Sequence, residues 1–130
     1  MNPVQRTYPT CPGRKCSVLV VEDDALTHTT LRRVLERAGH EVEAVGTVQT
    51  ALGRLHGVDC IVLDLRLPDG SGLEVLRRVR ESGSAVRVAV HTGCAEGAVI
   101  RRVKELNPDA LFIKPFNPDD LLAWLDAVRV

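Results

Sequence analysis

The sequence lacks net charge, and it lacks any apolar run of bilayer length. Its 17 basic residues balance 17 acidic ones, so there is none of the positive field with which a free-standing nucleic-acid binder neutralises phosphates. Direct nucleic-acid binding is therefore not expected. Its apolar runs fall far short of the roughly 20 residues a spanning helix needs, and the first residues have neither the charged nor the apolar region of a secretory signal. A cytoplasmic location without a membrane partner is the expectation. Cysteines are few: Cys11, Cys16, Cys60 and Cys94. No second Cys or His pair stands beside Cys11 and Cys16 to complete a zinc tetrahedron, and without a secretory signal the thiols are expected to stay reduced. Cys60, inside an apolar run, reads as core. What is present is the ordinary composition of one folded domain, with 45% hydrophobic and 26% charged residues in 130, long enough to bury a core without staples.

Residues 1–15 hold three prolines, a glycine and few large apolar side chains, and read as a flexible extension. The domain is expected over 16–130. Ser17 to Val21 reads as a buried strand, followed by a helical pattern carrying Leu31, Val34, Leu35 and Ala38 that Gly39 stops. The alternation repeats through 41–45, 47–55, 60–63, 72–81, 86–90, 96–106, 111–113 and 118–128, giving five strands and five helices. Short, continuously apolar strands imply burial on both faces, hence a doubly wound α/β parallel sheet with right-handed helical crossovers. In such sheets ligands bind beyond the carboxyl ends of the strands.

Those ends carry chemistry. The first strand runs into Glu22-Asp23-Asp24, the third ends at Asp64, the fourth at His91-Thr92-Gly93 and the fifth at Ile113-Lys114-Pro115. Taken singly, the acids read as helix caps, the threonine as a turn residue and the lysine as solvated. Their arrival at one edge of one sheet is harder to assign to chance. Clustered carboxylates repel one another and raise their own proton affinities unless a cation or lysine intervenes. Hard oxygen donors with room for water and phosphate suit Mg²⁺.

The segments Val-Leu-Val-Val-Glu-Asp-Asp at 18–24, Val-Leu-Asp-Leu-Arg-Leu-Pro-Asp-Gly-Ser-Gly at 62–72, His-Thr-Gly at 91–93 and Ile-Lys-Pro-Phe at 113–116 resemble, in the same order, the signature segments of response-regulator receiver domains. The similarity runs from about Cys16 to the end. It implies a flavodoxin-like fold of strand order 2-1-3-4-5, with Asp64 accepting a phosphoryl group from a sensor histidine kinase or phosphotransfer protein. By the same resemblance Asp23 binds Mg²⁺ directly, Glu22 binds it largely through water, and the backbone carbonyl of Arg66 is a further ligand. Thr92 and Lys114 contact the phosphoryl oxygens, and the Lys114–Pro115 bond is cis. Such a domain catalyses only its own phosphorylation and dephosphorylation, and signals by switching a surface for a downstream protein.

Several positions depart from the common receiver pattern. Leu111 stands three residues before Lys114, where many receivers carry an aromatic, and Phe112 should face the opposite side of the sheet. His91 precedes Thr92 where an aliphatic residue is more usual; a satisfied structural histidine is expected there ahead of a site-adjacent, switchable imidazole. Arg66 and Cys94 occupy places that in receivers influence the lifetime of the phosphoryl group. Residues 69–72 read as a turn whose acid or serine caps the third helix. Two rival readings are weaker. A dehalogenase-type phosphohydrolase wants an acid two residues after its nucleophile, where Arg66 stands, and a phosphate-independent module would not need the intact acids, threonine and lysine.

Overall fold

Side-chain alternation on short apolar strands, each with two faces to cover, builds the architecture. The computed structural model describes residues 16–94 and 96–127. In chain order these form β1 (Ser17–Val21), α1 (Ala25–Arg37), β2 (Glu41–Val45), α2 (Val48–Leu52), β3 (Cys60–Asp64), β4 (Arg66–Leu67), β5 (Gly70–Ser71), α3 (Leu73–Glu81), β6 (Arg87–Thr92), α4 (Gly97–Glu105), β7 (Ala110–Ile113) and α5 (Pro118–Ala127). The main sheet has the order β2-β1-β3-β6-β7 and is parallel throughout. Counting its five strands alone, this is the expected 2-1-3-4-5. The order reverses between β1 and β3, which opens a crevice at their carboxyl ends.

β3 is buried at every position, because helices cover both sides of the sheet. Leu19, Val21, Ile61, Leu63, Val88 and Val90 pack on one face with Ala51 of α2, Val75, Leu76 and Val79 of α3, and Val103 of α4. Val18, Val20, Cys60, Val62 and Ala89 pack on the other with Leu31 and Leu35 of α1 and Leu121 and Leu125 of α5. Leu111 joins the first face and Phe112 the second, as strand alternation requires. Among the described residues no helix is long and apolar enough to cross a membrane.

Three expectations are corrected. The second helix, expected over 47–55, ends at Leu52, because Gly53 caps it through bonds from its N–H to the carbonyls of Gln49 and Thr50 and glycine is a poor helix former. The fourth strand runs past the apolar stretch 86–90 through Thr92, the end expected of it; His91 and Thr92 are polar yet buried. Asp69 caps a different helix from the one expected. Its carboxylate accepts hydrogen bonds from Val48 N (2.8 Å) and Gln49 N (3.0 Å) at the start of α2, and these donors hold its pKa below the usual range. The α3 N-cap, Gly72, has no side-chain cap, while Ser71 Oγ accepts from Leu73 N. Finally, Cys16 is disulfide-bonded, against the expectation of reduced thiols; Cys60 and Cys94 are free. Cys11 and the extension expected over 1–15 lie outside the described residues, as do 128–130.

The antiparallel pairing of β4 with β5 was not expected, since two-residue strands carry no readable period. It folds the chain after Asp64 into a hairpin, Arg66 opposite Ser71 and Leu67 opposite Gly70, and returns it to α3 directly beside β3. There Gly72 N donates to Leu65 O at 2.8 Å, and a Cβ at Gly72 would lie 2.0 Å from the Asp64 carbonyl oxygen and 3.1 Å from Leu65 Cα. These neighbours are all backbone, with no flexible side-chain end to yield. Gly72→Ala should therefore destabilise the domain by about 1–3 kcal/mol, the usual cost of overpacking, or more. Chemical denaturation checks this, and a variant as stable as the parent would disprove the close approach.

Candidate functional site

Parallel register carries the key side chains to one level. The last β1·β3 pair is Val21 with Leu63, and the last β3·β6 pair is Asp64 with His91. Glu22, Asp64 and His91 thus continue the rows of Val20, Val62 and Ala89 on the α1/α5 face. Phe112 pairs with His91, and Lys114 follows two residues later on the same face. Its Nζ donates to Glu22 Oε1 at 2.8 Å and approaches Asp64 Oδ2 at 3.4 Å. The Lys114–Pro115 peptide is cis.

Glu22 and Asp64 are 1% and 5% exposed, and one ammonium between two carboxylates leaves an excess of negative charge. Burial pushes the Glu22 carboxyl above its ordinary value, outweighing the Lys114 hydrogen bond and the Asp24 N–H that lower it. Burial pulls the Lys114 ammonium down, but the Glu22 hydrogen bond and the Asp64 charge overcome it, and its pKa ends raised. His28 Nδ1 donates to the Glu22 carbonyl at 3.0 Å, a contact no sequence pattern announces.

The other expected residues take distinct places. Asp24 accepts from Thr27 N and Oγ1 as the N-cap of α1, which lowers its pKa; it is a capping acid. Asp23 is exposed, and its carboxylate has no ion pair or hydrogen bond among the described residues. Arg66 N lies 3.4 Å from Asp64 Oδ1, placing the Arg66 peptide beside the oxygen that faces away from Lys114. Thr92 is 1% exposed, its Oγ1 accepting from Cys94 N at 3.0 Å and its hydroxyl proton left to donate. Arg66, Thr92, Cys94 and Glu96 border a cleft of about 510 Å³. Glu22, Asp64 and Lys114 are thus in direct contact, with Asp23 and Arg66 flanking them and Thr92 at the same edge. Carboxylate oxygens gathered at this edge are donors of the kind that suits a hard divalent cation.

His91 departs from expectation. It is wholly buried and neither ring nitrogen has a hydrogen-bond partner, so it is not a satisfied core histidine. Nδ1 lies 3.6 Å from Glu22 Oε1, and the ring tilts against Phe116 at 5.9 Å between centroids. Burial, helped by the nearby Lys114 charge, lowers its pKa to about 3. A neutral ring makes no ion pair with Glu22.

The sequence matches the response regulator receiver domain family over residues 18–126. It is 37% identical over 127 residues to the transcriptional regulatory protein TcrA of Mycobacterium tuberculosis, covering 90% of this chain and 49% of that protein. It is 34% identical over 115 residues to the cell cycle transcriptional regulator CtrA of Caulobacter vibrioides, covering 85% and 49%. The chain thus spans about half the length of these curated relatives. A CheY-like receiver domain protein from Methanospirillum hungatei superposes with a TM-score of 0.82 at 27% identity, covering 88% of this chain and 93% of that one.

The buried neutral imidazole makes stability depend on pH. Unfolded, His91 takes up a proton near its ordinary pKa of about 6.5, whereas folded it resists down to about 3. Its contribution is therefore complete above about pH 6.5 and is lost as pH falls from there toward 3, at no more than about 1.4 kcal/mol per pH unit. Denaturant melts of the protein in chelator should lose stability more steeply across this window than those of His91→Leu, in which Glu22 and Lys114 remain. Parallel pH profiles would remove His91 as the cause.

Proposed function

The chain belongs to the response-regulator receiver family of two-component signalling, and from that premise we propose that Asp64 is its phosphoacceptor, charged from a phosphohistidine on a sensor histidine kinase or phosphotransfer protein. The observation that carries this reading is the placement of buried Asp64 between the Lys114 ammonium and the Arg66 peptide. In the transfer, an Asp64 carboxylate oxygen forms a P–O bond as the donor's P–N bond breaks and the leaving imidazole takes up a proton. The transition state is loose and spreads charge over three oxygens, so position and charge neutralisation are what the protein must supply.

Asp23, Asp64 and the Arg66 carbonyl would hold Mg²⁺, with Glu22 acting largely through water; the open Asp23 carboxylate and the excess negative charge support this fit. When bound, that ion neutralises oxygen charge on the entering group. Lys114 reaches the same oxygens by leaving Glu22, a move its partial exposure of 25% allows. Thr92 donates its remaining hydroxyl proton. The domain thereby acts on itself and turns over no separate substrate.

Output is proposed to leave through a protein contact, which the balanced charge supports. The names of TcrA and CtrA support a downstream role in transcription. Leu111 packs against the α2/α3/α4 face and Phe112 against the other, so no aromatic at either position exchanges between the core and the outer surface on the Thr92 side. Activation is therefore expected mainly in the loop after β6 and the start of α4.

Two experiments test this reading. The full chain, given acetyl phosphate and Mg²⁺, should gain one phosphoryl mass that chelator or Asp64→Asn abolishes; an Asn variant that is still labelled at another aspartate would refute Asp64 as acceptor. Amide hydrogen exchange with beryllofluoride should change most from Thr92 into α4. A dominant change in β7 and α5, with that loop silent, would show that coupling runs elsewhere.

A further inference from the structure

A buried imidazole with both nitrogens unpartnered calls for an explanation, since buried polar atoms are nearly always paired. His91 is such a group, and it stands beside two carboxylates on neighbouring strands. One ligand atom each from Glu22, Asp64 and His91 lie within 4.8 Å of one another, all three residues being buried. The 3.6 Å between His91 Nδ1 and Glu22 Oε1 is close to the roughly 3.3–3.4 Å between donors on a tetrahedral ion with bonds of about 2.0–2.1 Å.

We propose that Glu22, Asp64 and His91 form a second kind of cation site in this receiver, one that takes Zn²⁺ through two carboxylate oxygens and the His91 Nδ1. The nitrogen separates it from the all-oxygen set of Asp23, Asp64 and the Arg66 carbonyl. Imidazole favours the later first-row divalent ions, whereas Mg²⁺ keeps to oxygen and water. Three protein donors leave a fourth position for water, a common zinc arrangement. Lys114 Nζ bridges Glu22 and Asp64 at 2.8 and 3.4 Å, so a bound dication replaces the ammonium as their counter-ion and the partly exposed lysine swings outward. Phe116 against the ring limits its reorientation. Occupancy would engage Asp64 and displace Lys114 together, making Zn²⁺ an antagonist of phosphoryl transfer at this edge.

Zn²⁺ binding is measured on the full chain by calorimetry without any phosphodonor, so its result stands whether or not Asp64 accepts phosphate. Changes in outer-shell partners alone typically cost a metal site about tenfold or more, so losing a donor in His91→Leu should weaken Zn²⁺ by more than about tenfold. Asp23→Asn removes a neighbouring charge but no donor of this site, so it should weaken Zn²⁺ less than His91→Leu does. Stabilisation by Mg²⁺ should follow the reverse pattern, kept in His91→Leu and lost in Asp23→Asn. In case His91→Leu folds poorly, ¹⁵N-histidine spectra of the unmutated chain give an independent answer: on Zn²⁺ addition the His91 Nδ1 resonance should take the large shift of a coordinated nitrogen. Equal Zn²⁺ affinity with and without the imidazole, or shifts confined to His28, His40 or His56, would overturn the proposal.

Discussion

The interaction on which the site depends is the Lys114 ammonium held between the buried carboxylates of Glu22 and Asp64. Each buried carboxylate costs several kcal/mol in lost hydration, and attraction to a partner offsets this only where geometry is good. Here one cation serves two anions. Lys114 is long enough to reach them from β7, an edge strand of the sheet, across His91 on β6. The raised Glu22 pKa expresses what remains uncompensated. A site built this way is predisposed to accept further positive charge, and that predisposition underlies both the Mg²⁺ reading and the zinc proposal.

The opposite edge of the sheet shows the same residue type used differently. Asp59 Oδ2 accepts from Ser17 N at 2.8 Å. Asp109 Oδ2 accepts from Val88 N at 2.7 Å and from Arg80 Nη2 at 2.9 Å, with Arg87 3.6 Å from its other oxygen. These acids are satisfied by backbone donors and arginines and tie the strand starts together. At the carboxyl edge Glu22 and Asp64 share a single cation, Lys114, and each has one backbone donor besides, Asp24 N at 2.9 Å and Arg66 N at 3.4 Å.

The chain after β3 shows how packing positions Asp64. Asp69 anchors the β4–β5 hairpin to the start of α2, Gly72 lets α3 begin against the Asp64 backbone, and the Arg66 peptide is thereby held beside Asp64. The edge also joins the two faces of the sheet. Glu22, Asp64, His91 and Lys114 look toward α1 and α5, whereas Thr92 shares the parity of Val88 and Val90 and, with Leu111, belongs to the side of α2, α3 and α4.

Much of this was legible in the sequence. Continuous apolar strands separated by helical periods determine a doubly wound parallel sheet, and the strand-end positions of Glu22, Asp64, Thr92 and Lys114 follow from where apolar runs stop. These are local properties, written in the spacing of neighbouring residues. The short hairpin and the length of α2 were not legible, because two-residue strands and a glycine cap interrupt the periodic signal. Long-range partners were decided only by the tertiary structure. Asp69 caps a helix some twenty residues earlier instead of the adjacent one, and Lys114 meets Glu22 from 92 residues away. His91 has no partner for either ring nitrogen, which depends on every element that packs around it. A residue's type states which bonds it is able to make; which of them it makes is settled by what the fold brings within about 3 Å.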